Sequence, residues 1–286
     1  MIETISQPGP RLRLSVQRAV VYAILIVLCI AILSPILTAI LGSLRSSGEF
    51  QARPFGLPQD EIRWEHYTDI LGGAAFWRML GNTLLITIGV TTLNVGLGSM
   101  LAFAFTRLRF WGRELLVNIL SFGLLFPLVV AILPIFIQIR QLGLINSLWG
   151  VILPLVALGL PGTVIILRGF FISIPTELED ASYIDGCTPI GFFRHVLVPM
   201  ARPALTAVAV LQIIAGWNNY FLPLLILNDP NLWPLTLGLQ QFQGQYGTDI
   251  SRVMAYVTLL VIPAIVFYLF AEKYIVTGLT GGELKG

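Results

Sequence analysis

Six ionisable side chains crowd one short stretch of an otherwise apolar sequence. Residues 176–199, TELEDASYIDGCTPIGFFRHVLVP, hold Glu177, Glu179, Asp180, Asp185, Arg194 and His195. Carboxylates this close together suit one of two chemistries: ligation of a metal ion, or pairing with cationic groups on a facing surface. On a helix, Glu177, Glu179 and Asp180 take different azimuths and converge poorly as ligands of one ion. Charge pairing is the better match. A second set is polar rather than charged: Gln212, Gly216 and Asn219 recur at i, i+4 and i+7, with Asn218 adjacent. On a helix the three share a face. Such a face either lines a path through a membrane or supplies hydrogen bonds between helices, and the sequence leaves both readings open. Asn94 and Asn118 lean toward the second role.

Other chemistries lack their parts. Cys29 and Cys187 form no disulfide framework or metal-ligand spacing, and His66 and His195 join no cluster. No G-x-x-x-x-G-K-[ST] occurs, so this chain does not bind ATP by a P-loop, and if ATP drives it the nucleotide site is on another polypeptide. The net charge is only +2 and no Lys/Arg run is present, which gives no reason to expect nucleic acid as a partner.

The elements that must position these residues are set by composition. The chain of 286 residues is 56% hydrophobic and 11% charged, with mean hydropathy +0.84; soluble domains carry about 25% charged residues. Much of the chain therefore has lipid as its solvent. A membrane-crossing helix needs about 20 apolar residues, and six stretches free of Asp, Glu, Lys and Arg qualify: 19–42, 80–105, 115–137, 148–167, 203–227 and 253–271. The first is too long for a signal-peptide core and no small-residue cleavage site follows it, so it reads as an uncleaved span. With no ionisable residue in any span, a proton or sodium relay is not expected.

Positive charge orients the spans. The tails and inward loops, 1–18, 106–114, 168–202 and 272–286, hold eleven Lys and Arg residues, with Arg107, Arg109 and Arg113 crowded into one short loop; the other side holds six. Both termini are thus expected in the cytoplasm. Trp77, Trp111, Trp149 and Trp233 fall at span ends, where amphipathic rings settle. The charged insert, within 168–202, becomes a cytoplasmic loop.

That loop carries helix signals. Thr176 with Glu179 is a T-x-x-E capping box after Pro175, and Gly186 is placed to end the helix in the left-handed conformation. Thr188 caps a second helix with Pro189 at its first position, and Pro199 and Pro203 close the unit. Leu178, Ala181 and Ile184 form a stripe on the first helix; Phe192, Phe193, Val196 and Leu197 make the second apolar. Interfacial helices are usually basic, and acidic lipid headgroups repel this one. A groove in a protein is the better host.

The run Glu177 to Gly186 followed by Val196-Leu197-Val198-Pro199 resembles the EAA loop of binding-protein-dependent ABC importer permeases. The family motif reads Glu-Ala-Ala, three residues, Gly, nine residues, Ile-x-Leu-Pro; it falls here on Asp180, Ala181, Ser182, Gly186, Val196, Val198 and Pro199. Asp replaces Glu, Ser replaces Ala, and Val replaces both Ile and Leu. The segments Arg63-Trp64-Glu65-His66-Tyr67, Asn82-Thr83, Leu144 to Gly150, Leu167 to Phe171, Gly216-Trp217-Asn218-Asn219 and Gly278 to Gly286 resemble the carbohydrate type, most closely the second permease of maltose-type systems.

This resemblance implies an all-α integral membrane protein of six transmembrane helices with a cytoplasmic helical coupling loop. Its domain, 19–275, is flanked by tails 1–18 and 276–286. It implies a first loop helix that docks into an ATPase subunit, with Glu179, Asp180, Ala181, Ser182, Asp185 and Gly186 as the coupling residues, and a tail in which Glu283 and Lys285 reach the ATPase pair. Gln212, Gly216, Asn218 and Asn219 are the candidates for the translocation path. The implied partners are a second permease, two ATPase subunits carrying ATP and Mg, an extracytoplasmic solute-binding protein and the lipid of the cell membrane. No cofactor is implied in this chain and no enzymatic activity. Two other readings stand beside this one: a permease for amino acids or peptides, and a membrane-embedded lipid-modifying enzyme using the acids of 177–185.

Overall fold

In a computed structural model, the chain is described at residues 11–59, 61–125, 127–244 and 247–280. The expected tail contacts of Glu283 and Lys285, and most of the 1–18 tail, lie outside the described residues or side chains. The helices are α1 (Arg11–Ser43), α2 (Ser47–Ala52), α3 (Glu65–Gly72), α4 (Ala74–Arg107), α5 (Arg113–Phe122), α6 (Leu128–Gln141) and α7 (Leu148–Ser173). Then come α8 (Thr176–Ile184), α9 (Pro189–Phe192), a π turn at Phe193–Leu197, α10 (Val198–Met200), α11 (Arg202–Trp217), α12 (Phe221–Ile226) and α13 (Ile250–Thr280). The strands among the described residues are a two-residue antiparallel ladder pairing Gln243 with Thr248 and Gly244 with Gly247. Among the described residues, four helices are long and apolar enough to cross a membrane, or up to six segments if each of two bent pairs is one span.

The chain divides into two units. The smaller comprises residues 1–70 and 242–259. Its α1 is exposed along nearly its whole apolar length, and Pro35 leaves the Ala31 carbonyl without its helical donor; the Ser34 hydroxyl donates there instead at 3.1 Å. Beyond α1, buried Arg45 organises the turn. Its guanidinium donates to the carbonyls of Leu41, Arg53 and Pro54 at 2.8–3.2 Å and lies 5.3 Å from the Phe50 ring centre. Ser47 donates to Asp249 at 2.7 Å, and Arg252 pairs with Asp69 at 3.3 Å. Arg45, one of the six cations on the outward side of the charge count, is a structural residue.

The larger unit holds residues 71–241 and 260–286. Here α4 packs most extensively on α7 and then on α11. Small residues let the backbones approach, as membrane helix interfaces favour. A Cβ at Gly216 of α11 would sit 3.0 Å from the Thr87 Cα of α4, and one at Gly98 of α4 would overlap the Thr163 methyl of α7.

Two spans expected as single helices are broken. The 115–137 segment forms α5, a 3-10 turn at Gly123–Leu125 and α6, with 107° between its halves. Pro127 has no N–H to continue the ladder, and it stands instead as the N-cap of α6. The 203–227 segment stops at Trp217 and restarts at Phe221. In a continuous helix the Pro223 ring would collide with the Asn219 carbonyl. That carbonyl instead accepts from the Thr236 hydroxyl at 2.8 Å, and the Asn219 side chain accepts from the Leu222 N–H at 3.3 Å.

Candidate functional site

The charged insert folds into two parts with opposite fates. The second part, α9 to α10, is absorbed into the bundle. Thr188 caps it by accepting from the Gly191 N–H at 3.1 Å, with Pro189 at the first turn, as expected. Phe192 and Leu197 are fully buried in a core with Phe103 and Phe105 of α4, Leu167 and Phe171 of α7, and Ala204 and Val208 of α11. The groove its apolar face required is therefore in this same chain. Pro199 lies within α10 and does not end the unit; the turn comes at Ala201, where the chain bends by 78° into α11.

The first part, α8, stands outward. Its capping differs from expectation: Thr176 is already helical, Pro175 is the N-cap and no side-chain cap bond forms. Proline has neither a side-chain acceptor nor an N–H for a capping box, and the Glu179 carboxylate is engaged elsewhere. Arg107, the last residue of α4, reaches it at 3.3 Å, the two side chains being 5% and 13% exposed. The same guanidinium donates to the carbonyls of Phe171 and Ile174 at 2.8 and 2.7 Å. Both carbonyls stand at the C-terminal end of α7, which favours a cation; that of Phe171 also accepts from the Ile174 N–H at 3.3 Å. Tyr183 donates to Glu179 at 2.8 Å. Partial burial, and next the hydrogen bond to the Glu179 carboxylate, push the Tyr183 hydroxyl up to about 12. Losing one partner of a buried ion pair strands the other charge, at a cost of about 3–5 kcal/mol.

Because Glu179 and Ser182 turn inward, the Leu178–Ala181–Ile184 stripe faces out. This inverts the usual assignment of an apolar stripe to the chain's own core. Ile184 is 86% exposed and Ile190, across the turn, 76%; Glu177, Asp180, Ala181, Asp185 and Gly186 are exposed beside them, while Ser182 is buried. Gly186 ends α8 at φ +83°. The Cys187 N–H bonds the Ser182 carbonyl at 2.9 Å and the Gly186 N–H bonds that of Tyr183 at 3.1 Å, the paired closure of a Schellman turn. The result is a rigid peg whose outer face mixes apolar side chains with carboxylates.

The four candidate path residues separate. Gln212 and Gly216 face the helix interior: the Gln212 amide donates to Thr163 at 3.1 Å, and the Thr163 hydroxyl donates to Asn94 at 3.4 Å. Their placement is that of interhelical ties. Asn219 lies past the end of α11, so its i+7 relation to Gln212 does not hold. Asn218 alone of the four borders a cavity of about 750 Å³. This cavity runs between α4, α11 and α13, with Trp217, Pro263 and Tyr268 in its wall. Its wall is largely apolar, and the Thr87 and Thr91 hydroxyls stand buried without a partner. Among the described residues no group of three or more His, Cys, Asp or Glu is disposed to hold a metal.

Sequence reasoning missed Arg107, which entered only as a loop charge. Its signal was position, a single Arg closing a span immediately before a short loop. Asn146 was also missed. At φ 56° its side-chain oxygen accepts from the Asn228 and Asp229 N–H groups at 2.6 and 3.0 Å.

Long apolar helices, a helical bundle and an outward peg define the class: a multi-pass helical membrane protein. Residues 94–276 match the family described as binding-protein-dependent transport system inner membrane component, and the chain belongs to that family. It is 32% identical to the diacetylchitobiose uptake system permease protein of Streptomyces coelicolor over 93% of this chain and 89% of that one. It is 30% identical to the arabinooligosaccharides transport system permease protein of Bacillus subtilis, over 95% and 97%. Among solved structures it resembles a chain of a bacterial ABC transporter involved in import of the acidic polysaccharide alginate, with TM-score 0.78 and 26% identity over 94% of this chain and 99% of that one. The curated relatives are transport permeases, not enzymes.

Proposed function

We propose that this chain is one of two permeases in an ATP-driven importer of a carbohydrate or related polyol. The observation that carries this reading is α8, a peg fixed from within by Arg107 and presenting Leu178, Ala181 and Ile184 among exposed carboxylates. An apolar stripe of this kind, left in water, is a docking surface. Paired charges at its rim fix register and partner choice more than affinity. The occupant is an ATPase subunit, with Asp180, Ala181, Asp185 and Gly186 on the contact face and Ser182 supporting it from below. Glu179 serves the peg's own anchorage. The relatives that transport oligosaccharides supply the substrate class.

In this reading six spans cross the cell membrane with both termini in the cytoplasm, the broken segments 115–137 and 203–227 counting as one span each. The transmembrane domain is 19–275, between tails 1–18 and 276–286. ATP and Mg reside on two ATPase copies, an extracytoplasmic binding protein delivers the solute, and the path runs between this chain and a second permease. On this chain Asn218, at the cavity edge, is the path residue; Gln212 and Gly216 hold the bundle. The test is coexpression with the cognate ATPase, second permease and binding protein, followed by uptake into proteoliposomes. ATP-dependent uptake that needs the loaded binding protein supports the reading. Solute movement by the purified chain alone refutes it.

A further inference from the structure

α8 joins α7 through only two residues, Ile174 and Pro175, both extended at φ/ψ −78°/125° and −57°/140°. On its other side α8 runs through the Gly186 turn into α9, whose Phe192 is buried against α4 and α7. One side chain spans α4, α7 and α8. Arg107 at the end of α4 holds the Phe171 and Ile174 carbonyls on one side and the Glu179 carboxylate, one turn into α8, on the other. Tyr183 steadies that carboxylate from α8 itself and stacks edgewise on Phe192 of α9 at 6.2 Å. The ion pair is nearly closed to water, so solvent does little to screen it.

We propose that Arg107 is the positioning residue that locks the coupling helix to the ends of α4 and α7. A displacement of α8 then moves both membrane helices as one body through the Glu179 carboxylate. This inference rests on the reading that α8 docks with an ATPase, and it adds the route by which force enters the bundle. It also separates two neighbouring acids: Asp180 faces the partner, and Glu179 faces Arg107.

The experiment uses the reconstituted complex with its cognate ATPase, second permease and binding protein, and reads solute moved per ATP hydrolysed. Glu179→Ala keeps the ATPase bound and ATP hydrolysis running, while solute moved per ATP falls about 2- to 30-fold, the range for changes along a coupling route. Glu179→Gln, which retains an acceptor for Arg107 and Tyr183 but not the charge, recovers part of the ratio. Arg107→Ala combined with Glu179→Ala is no worse than the worse single variant, because each breaks the same link. If Glu179→Ala fails to accumulate in membranes, Glu179→Asp, one methylene short of the guanidinium, makes the same comparison with Glu179→Gln. A wild-type ratio in the Ala or Asp variant overturns the inference and leaves the proposed function standing. So does loss of the ATPase from the Glu179→Ala complex, which would put Glu179 on the partner's side. A wild-type complex that binds no ATPase removes the proposed function itself.

Discussion

Gly98 on α4 offers the sharpest quantitative test of the helix packing. A methyl group there would overlap Cγ2 of Thr163 on α7, with Thr163 Cβ at 3.2 Å and Leu160 Cδ2 at 3.9 Å. Thr163 is stiff at χ1, and turning it would withdraw its hydroxyl from both Gln212 and Asn94. Gly98→Ala must therefore part the two helices or break the polar chain. Overpacking of this kind costs about 1–3 kcal/mol. Two residues away, a Cβ at Gly96 meets nothing within 4 Å. Gly96→Ala shares the same helix-propensity gain of about 1 kcal/mol, so that term cancels between the two variants. The packing term alone remains, equivalent to a spread of about 2–12 °C in melting temperature. Adding Thr163→Ser to Gly98→Ala removes the offending methyl, keeps the hydroxyl and recovers most of the loss. The assay is thermal unfolding of the detergent-solubilised protein. Equal melting of the Gly96→Ala and Gly98→Ala variants would refute the close α4–α7 contact.

Gln212→Leu lowers the melting temperature by loss of a tie worth about 1–2 kcal/mol, while uptake per assembled complex is unchanged. Asn218→Leu does the reverse, reducing uptake at normal stability; transport and melting measured on both variants decide which amide meets the path. Tyr183 gives a pH signature. Its folded-state value is raised to about 12, so the bond to Glu179 is fully present below about pH 10, the ordinary tyrosine value. It is lost as pH climbs through the raised value. The difference absorbance between wild type and Tyr183→Phe then shows little phenolate near pH 10, and a normal titration there contradicts the burial of this hydroxyl first and its Glu179 bond second.

Much of the fold is legible because lipid demands long uncharged helices, and α1, α4, α7 and α13 follow directly from that demand. The breaks are another matter. Prolines in membrane helices are tolerated, so Pro223 by itself does not announce a break. Here the break that Pro223 favours is accompanied by Thr236 taking the Asn219 carbonyl, a contact no local pattern contains. The same holds for the peg. Its Gly186 turn and its Thr188 cap are local chemistry and were readable, whereas the Thr176 cap and the Pro199 stop were not. The direction it faces depends on Arg107, distant in sequence, taking the carboxylate that the capping-box pattern assigned to the helix end. Gln212 and Gly216 were readable as a shared face, but only the packing of Thr163 and Thr87 against them shows which way that face points.

The central claim is that α8 meets an ATPase from the cytoplasm, and Ile184, at the exposed tip of that helix, reports on it most directly. With Cys29 and Cys187 replaced by Ser, Ile184→Cys is treated with a short thiol cross-linker in membranes containing the assembled complex. The account predicts an adduct with the ATPase subunit that forms from the cytoplasmic face and changes in yield with nucleotide. Labelling of that cysteine only from the opposite face, or its failure to join any ATPase in an assembled complex, would contradict it.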